Sequence, residues 1–159
     1  MGNYFDRSEL RNYQYDKAMQ LFNKSLQIAE QCKSAQLIAQ GYRYMADVYD
    51  MNDDYEQEEV YLNMAVTKYR LSGDRFAMGK TYSQLGDMHF KNEDLDKAYV
   101  NYMSACNIYE GFGDIEYVAY IHNRLGRINF MQQGAVALMG TNNTCTGINS
   151  YRQTISIDK

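Results

Sequence analysis

The chain has 159 residues, a formal net charge of −4, 45% apolar and 23% charged residues, and no proline. That is enough chain for one domain with a core, and the acidic balance argues against a nucleic-acid partner, whose phosphates need clustered Lys and Arg. No run approaches the roughly 18 apolar residues of a membrane span, and Cys32, Cys106 and Cys145, an odd set without C-x-x-C spacing, argue against a disulfide framework or a zinc site and fit reduced thiols in a cytoplasmic protein.

Taken in chain order, the hydrophobic spacing predicts a short helix near 4–11 and further helices near 15–31, 34–51 and 55–71. The clearest pair follows. Phe76, Met78, Tyr82, Leu85 and Met88 recur at helical spacing over about 74–91, and Asn92-Glu93-Asp94 ends that helix. Asn92 suits a left-handed turn, and Asp94 offers a capping oxygen to a helix over about 95–112. Gly113-Asp114 closes it, as Gly73-Asp74 does earlier, and a last helix is expected near 115–132. Residues 134–159, rich in Gly, Thr, Asn and Ser, read as an irregular or disordered tail. That makes about seven helices, with residues 1–133 as one helical domain.

These elements repeat every 40 residues without a gap. Tyr42, Tyr82 and His122 share a column, as do Met45, Leu85 and Leu125, and Ala46, Gly86 and Gly126. In the partner helices Ala18, Glu58 and Ala98 align, then Phe22, Leu62 and Tyr102, then Ser25, Ala65 and Ala105. The small residues are expected where helices approach closely. Units of about 1–33, 34–73 and 74–113, with an incomplete 114–133, would each bury their apolar faces by stacking. Ile121, Leu125 and Ile128 would then lie on a face that a following helix normally covers, so the tail, a second copy in a homodimer through helix 115–132, or a further repeat of a longer array is expected to cover it.

The columns resemble the tetratricopeptide repeat: Tyr82-Ser83-Gln84-Leu85-Gly86 in the A helix, then Ala98, Tyr102 and Ala105 in the B helix. The 40-residue length and the Gly-Asp between units resemble its long-repeat subclass, seen in LGN/Pins-type and rapsyn-type scaffolds and in bacterial peptide-pheromone receptors. Glu58 departs from the pattern: a carboxylate in the small B-helix position must reach solvent, pair, or take up a proton. The resemblance implies an all-α, right-handed superhelical solenoid of antiparallel helix pairs. It also implies a concave groove of A helices that captures a peptide segment of another protein.

By column, that groove would be lined by Gln40, Arg43, Tyr44, Asp47 and Met51, then Lys80, Ser83, Gln84, Asp87 and Lys91, then Tyr120, Asn123, Arg124 and Arg127, with Asn3 and Arg7 ahead of them. Tyr44, Met51 and Tyr120 would anchor apolar side chains, and Arg43, Lys80, Arg124 and Arg127 would make charge contacts. The charge runs from acidic Asp47 and Asp50 to basic Arg124 and Arg127, so a peptide of mixed charge is the expected ligand. The Lys/Asn carboxylate clamp of chaperone-binding members is not matched. A ligand-sensing module of a larger signalling protein and a self-associating array are the rival readings.

Chemistry is not expected. His89 and His122 stand in tyrosine columns and read as packing residues. Asp50-x-Asn52-x-Asp54 opens like a calcium loop, but Tyr55 replaces the required glycine and Tyr61 the bidentate glutamate. No cofactor, metal or catalytic set follows, and the chain reads as non-enzymatic.

Overall fold

The computed structural model describes the backbone of residues 7–139 and the side chains of residues 14–133. Among these there are six α-helices and no strand: α1 (Arg7–Gln31), α2 (Ala35–Asp50), α3 (Tyr55–Ser72), α4 (Arg75–Lys91), α5 (Leu95–Phe112) and α6 (Ile115–Met139). Turns of two to four residues join them, short enough to send each helix back against its predecessor. No described helix is long and apolar enough to cross a membrane. The chain divides into two compact units, Met1–Ile128 and Asn129–Lys159.

The helix ends follow from local chemistry. Ser34, Asp54, Asp74 and Asp94 are N-caps whose side chains accept from backbone N–H groups three residues on. Gly73 and Gly113 end α3 and α5 at φ 76° and 69°, a region open to glycine without a Cβ penalty. After α2 and α4 the left-handed residue is Asp53 or Glu93, with φ of 57° and 61°. The expected asparagine is not it: Asn92 has φ −83°.

The separate helices expected near 4–11 and 15–31 are a single helix, α1. The repeat explains why. The columns that hold left-handed Asp53 and Glu93, then capping Asp54 and Asp94, hold Tyr13 and Gln14 in the first unit. An aromatic resists φ > 0 and Gln is a poor cap, so nothing breaks the helix there. The expected count of seven becomes six among the described residues. α6 also runs six residues past 133, where the periodicity stops. The irregular tail expected over 134–159 is thus helical as far as Met139, and its remainder from 140 lies outside the described residues, as do Asn3 and the side chain of Arg7.

Three clusters make the core of the first unit, each shared by successive helices. Ala29, Ile38, Tyr42, Met45, Ala65 and Tyr69 join α1, α2 and α3. Ala46, Leu62, Val66, Leu85 and Met88 join α2, α3 and α4. Ala98, Tyr102, Ala105, Tyr109, Ile121, Leu125 and Ile128 join α5 and α6, with Phe76, Tyr82 and Phe90 of α4 packed on them. Met45, Leu85 and Leu125 are buried in equivalent surroundings, with Phe22, Leu62 and Tyr102, which are themselves one column. Ile121, Leu125 and Ile128 are not an open face, as the sequence suggested: they are buried in the cluster that α6 shares with α5. Close approach holds at Ala46, Ala65, Gly86, Ala98 and Ala105, all buried. It fails at Ser25 and Gly126, both exposed.

Candidate functional site

The A-type helices α2, α4 and α6 are tied by side chains that obey one offset. On α2, the Asp47 carboxylate accepts from the amide of Gln84 on α4. One repeat later Asp87 on α4 receives Arg124 of α6, with Nη2 at 3.2 Å. Both pairs are 37 residues apart and occupy the same two columns. Asp87 also accepts from the hydroxyl of Tyr120 at 3.0 Å and from that of buried Tyr102 on α5 at 2.7 Å. Arg124 Nε donates to the Tyr120 hydroxyl at 3.0 Å. A further tie joins Lys91 Nζ to Asp50 Oδ1 at 2.5 Å, which raises the lysine pKa.

The predicted set therefore divides. Asp47 is bonded to Gln84, Asp87 to Tyr120 and Arg124, and Lys91 to Asp50, so these side chains are engaged between helices. Met51 (74% exposed), Asn123 and Arg127 are open to solvent. Tyr44 is half-buried, stacked on Phe22 with ring centroids 5.5 Å apart. The Arg43 guanidinium lies 5.5 Å from the Tyr44 ring, and Gln40 donates to the Tyr44 hydroxyl at 3.1 Å. Lys80 Nζ sits 5.0 Å from the Phe76 ring and 5.6 Å from that of Tyr117, and Arg127 covers Phe90 at 4.8 Å. Cations held on aromatic faces are partly ordered before any ligand arrives. Ser83 does not belong: it is buried and donates to the Gly79 carbonyl at 3.2 Å.

The electrostatics centre on Glu58, which is 2% exposed with Oε2 lacking a hydrogen-bond partner among the described residues. Burial foremost, then the negative charges of Asp50, Asp47 and Asp87, push its carboxyl up to about 8, against the pull of Lys91. Of the fates open to a carboxylate at that position, it takes the proton. Desolvation also pushes Asp47 upward, against its bond from Gln84 and the charge of Arg43. The acidic end of the face is electrostatically loaded, while at the other end Asp87 is neutralised by Arg124.

The histidines differ from each other. His89 fits the packing expectation: it is buried, its pKa is lowered chiefly by burial, and Nε2 lies 3.5 Å from Glu59. His122 does not; it is exposed, and Nε2 is 3.9 Å from the Cys106 sulfur. Burial and the Glu110 carboxylate push the Cys106 thiol up, so it is protonated at neutral pH. Sequence reading placed Asp50 at the acidic end of the groove but missed its tie to Lys91, and it missed Tyr102, Cys106 and Glu110 as members of polar clusters. A separate hollow of about 270 Å³ is lined by Tyr42, Asn63, Met64, Thr67 and Lys68, none of them in the predicted set.

No family model matches the chain, and no curated protein matches it. Among solved structures it is similar to the crystal structure of BtubC (BKLC) from P. vanneervenii, with a TM-score of 0.52 at 19% sequence identity. The match covers 84% of this chain and 61% of that one, so the chain spans about three fifths of that protein's length. At this identity the likeness speaks to the fold.

Proposed function

We propose that the chain is a tetratricopeptide-type solenoid that binds a peptide segment of another protein across α2, α4 and α6, without catalysing a reaction. The observation that carries this reading is the repeated 37-residue tie. Asp47–Gln84 and Asp87–Arg124 hold three helices side by side by one rule, so their outward side chains share a surface. A face built this way offers recognition points at a fixed spacing, which suits a ligand read along its length.

The ties divide the labour among the residues. Asp47, Gln84, Asp87 and Arg124 set the spacing of the helices. Met51, Tyr120 and Arg127 are open enough to meet a ligand, at 74% and 37% exposure for the first two. A peptide with an apolar side chain near Met51 and acidic residues near Arg127 fits this face best, with basic residues towards Asp47 and Asp50.

The test is selection of a short-peptide display library on the whole chain, followed by binding to Met51→Asp and Arg127→Glu variants. Neither residue takes part in the ties to Asp47, Asp50 and Asp87; Arg127 does cover the Phe90 ring of α4, so the denaturant midpoint of Arg127→Glu checks that the helices stay packed. Selected peptides should carry both charge signs and lose at least about tenfold in affinity for each variant. Peptides that bind both variants as well as the parent would place recognition on another surface and end this reading.

A further inference from the structure

Cys106, Glu110 and His122 bring a sulfur, a carboxylate oxygen and an imidazole nitrogen within 4.8 Å of one another. Cys106 and Glu110 are one turn apart on α5, and His122 reaches them from α6. The sulfur is 3.7 Å from Glu110 Oε1 and 3.9 Å from His122 Nε2. Bound to a tetrahedral zinc ion, at roughly 2.3 Å for sulfur and 2.0–2.2 Å for nitrogen or oxygen, such ligand pairs lie about 3.5 Å apart. The two pairs that share the sulfur are thus a few tenths of an ångström from coordination distance, and a rotamer adjustment of Glu110 or His122, both exposed, would close the third, which lies within 4.8 Å.

The repeat supplies an internal control. The same three columns hold Leu26, Glu30 and Tyr42 in the first unit and Val66, Arg70 and Tyr82 in the second. In the second unit the positions serve packing and one hydrogen bond, from the charged Arg70 Nη2 to the Tyr82 hydroxyl at 3.2 Å. Only in the third do all three columns carry a ligand-forming residue at once. The apolar residue becomes a thiol and the tyrosine an imidazole, neither of which the packing of the earlier units needs.

From this geometry we infer that Cys106, Glu110 and His122 form a site for a zinc-class transition-metal ion that staples α5 to α6. Binding would release the Cys106 thiol proton to solvent, and the resulting thiolate with imidazole selects a borderline-soft ion over magnesium or calcium. Cys106 is 2% exposed, whereas Glu110 and His122 face solvent, so the ion has an entry path and a fourth position for water. The inference is independent of the peptide-binding reading, since none of the three residues belongs to that face.

The test is titration of the reduced full-length chain with Co²⁺ alone, read by thiolate-to-cobalt charge-transfer absorption, and with Zn²⁺ alone, read by thermal unfolding. Each ligand is replaced by what its column holds one repeat earlier: Cys106→Val, Glu110→Arg and His122→Tyr. The parent should show the absorption band at one equivalent and a raised Tm with Zn²⁺. Cys106→Val should abolish the band, and the other two should weaken binding by at least about 100-fold. No band in the parent overturns the site. So does a band that survives Cys106→Val, which would arise from Cys32 or Cys145, or one that is unchanged in His122→Tyr. Circular dichroism confirms folding of each variant, and if Cys106→Val unfolds, His122→Tyr still decides.

Discussion

The pairs α2–α3 and α4–α5 are built on the same columns but solve the helix crossing differently. In the first, Ala46 shares its cluster with Leu62. In the second, Gly86 lies so close to Tyr102 that a Cβ there would fall 2.6 Å from the ring. A methyl is removed from one helix as an aromatic ring enters from the other, so the crossing stays filled. The exchange has a polar consequence. The Tyr102 hydroxyl emerges at Asp87 and donates to it at 2.7 Å, while Leu62 has nothing to offer Asp47. Beside Asp47 and Asp50, the first pair also buries Glu58 where the second has Ala98. The second pair thus compensates its carboxylate with two hydroxyls and Arg124, whereas the first gathers three acidic groups: Asp47 has the Gln84 amide, Asp50 has Lys91, and buried Glu58 Oε2 has no hydrogen-bond partner among the described residues. Packing columns can be interchangeable in volume and still differ in where they leave charge.

The largest expected effect tests that asymmetry through pH. In the unfolded chain Glu58 titrates near 4.5; in the fold it titrates near 8. Between those values the folded state holds one proton more, so stability falls as pH rises from about 4.5 to about 8 and is lowest above that window. At about 1.4 kcal/mol per pH unit the loss reaches several kcal/mol. Glu58→Gln keeps the volume and removes the titration. Urea unfolding at pH 5 and pH 9 should show a steep loss for the parent and a much smaller one for the variant. Parallel curves would mean that Glu58 titrates in the fold as it does in the unfolded chain, so that burial and its acidic neighbours do not hold its proton.

A smaller effect tests the volume exchange. Gly86→Ala gains about 1 kcal/mol of helix propensity but forces a methyl onto a ring that is fully buried and tethered at its hydroxyl. Overpacking of this kind costs about 1–3 kcal/mol, and here the upper half applies because the ring has nowhere to go. Denaturant midpoints should drop. The double variant Gly86→Ala/Tyr102→Leu recreates the Ala46–Leu62 pairing and should recover part of the loss, giving a coupling energy of opposite sign to the single effects. Strict additivity would show that the two positions do not share the crossing.

Most of the fold was legible because it is carried by repetition. Helix positions, the buried leucine column and the Asp caps at 54 and 94 all follow from periods of 3.6 and 40. The break expected in α1 is absent because the residues that make the turn are Asp53-Asp54 and Glu93-Asp94, and Tyr13-Gln14 stand in their columns. The site was less legible. Columns place Asp47 and Arg124 on one side of a helix, but whether they face a ligand or each other depends on the distance between helices, which no single helix encodes. Ser83 and His122 failed for a related reason: a column fixes direction from its own helix, and burial is decided by what the neighbour places there.

The last contrast carries the comparison to α6, where Gly126 continues the column of Ala46 and Gly86. Among the described residues a Cβ at Gly126 meets nothing within 4 Å, and the position is exposed. The constraint that keeps Gly86 small is therefore absent, and only the conformational cost of glycine in a helix remains. Gly126→Ala should stabilise the chain by about 0.5–1 kcal/mol, opposite in sign to Gly86→Ala. The two single variants, measured in one buffer by denaturant midpoint, isolate packing from propensity, because backbone and side-chain change are the same in both. Were Gly126→Ala to destabilise as Gly86→Ala does, an aromatic or a backbone must press on α6 as Tyr102 presses on α4. The crossing geometry of the second pair would then extend one repeat further along the chain.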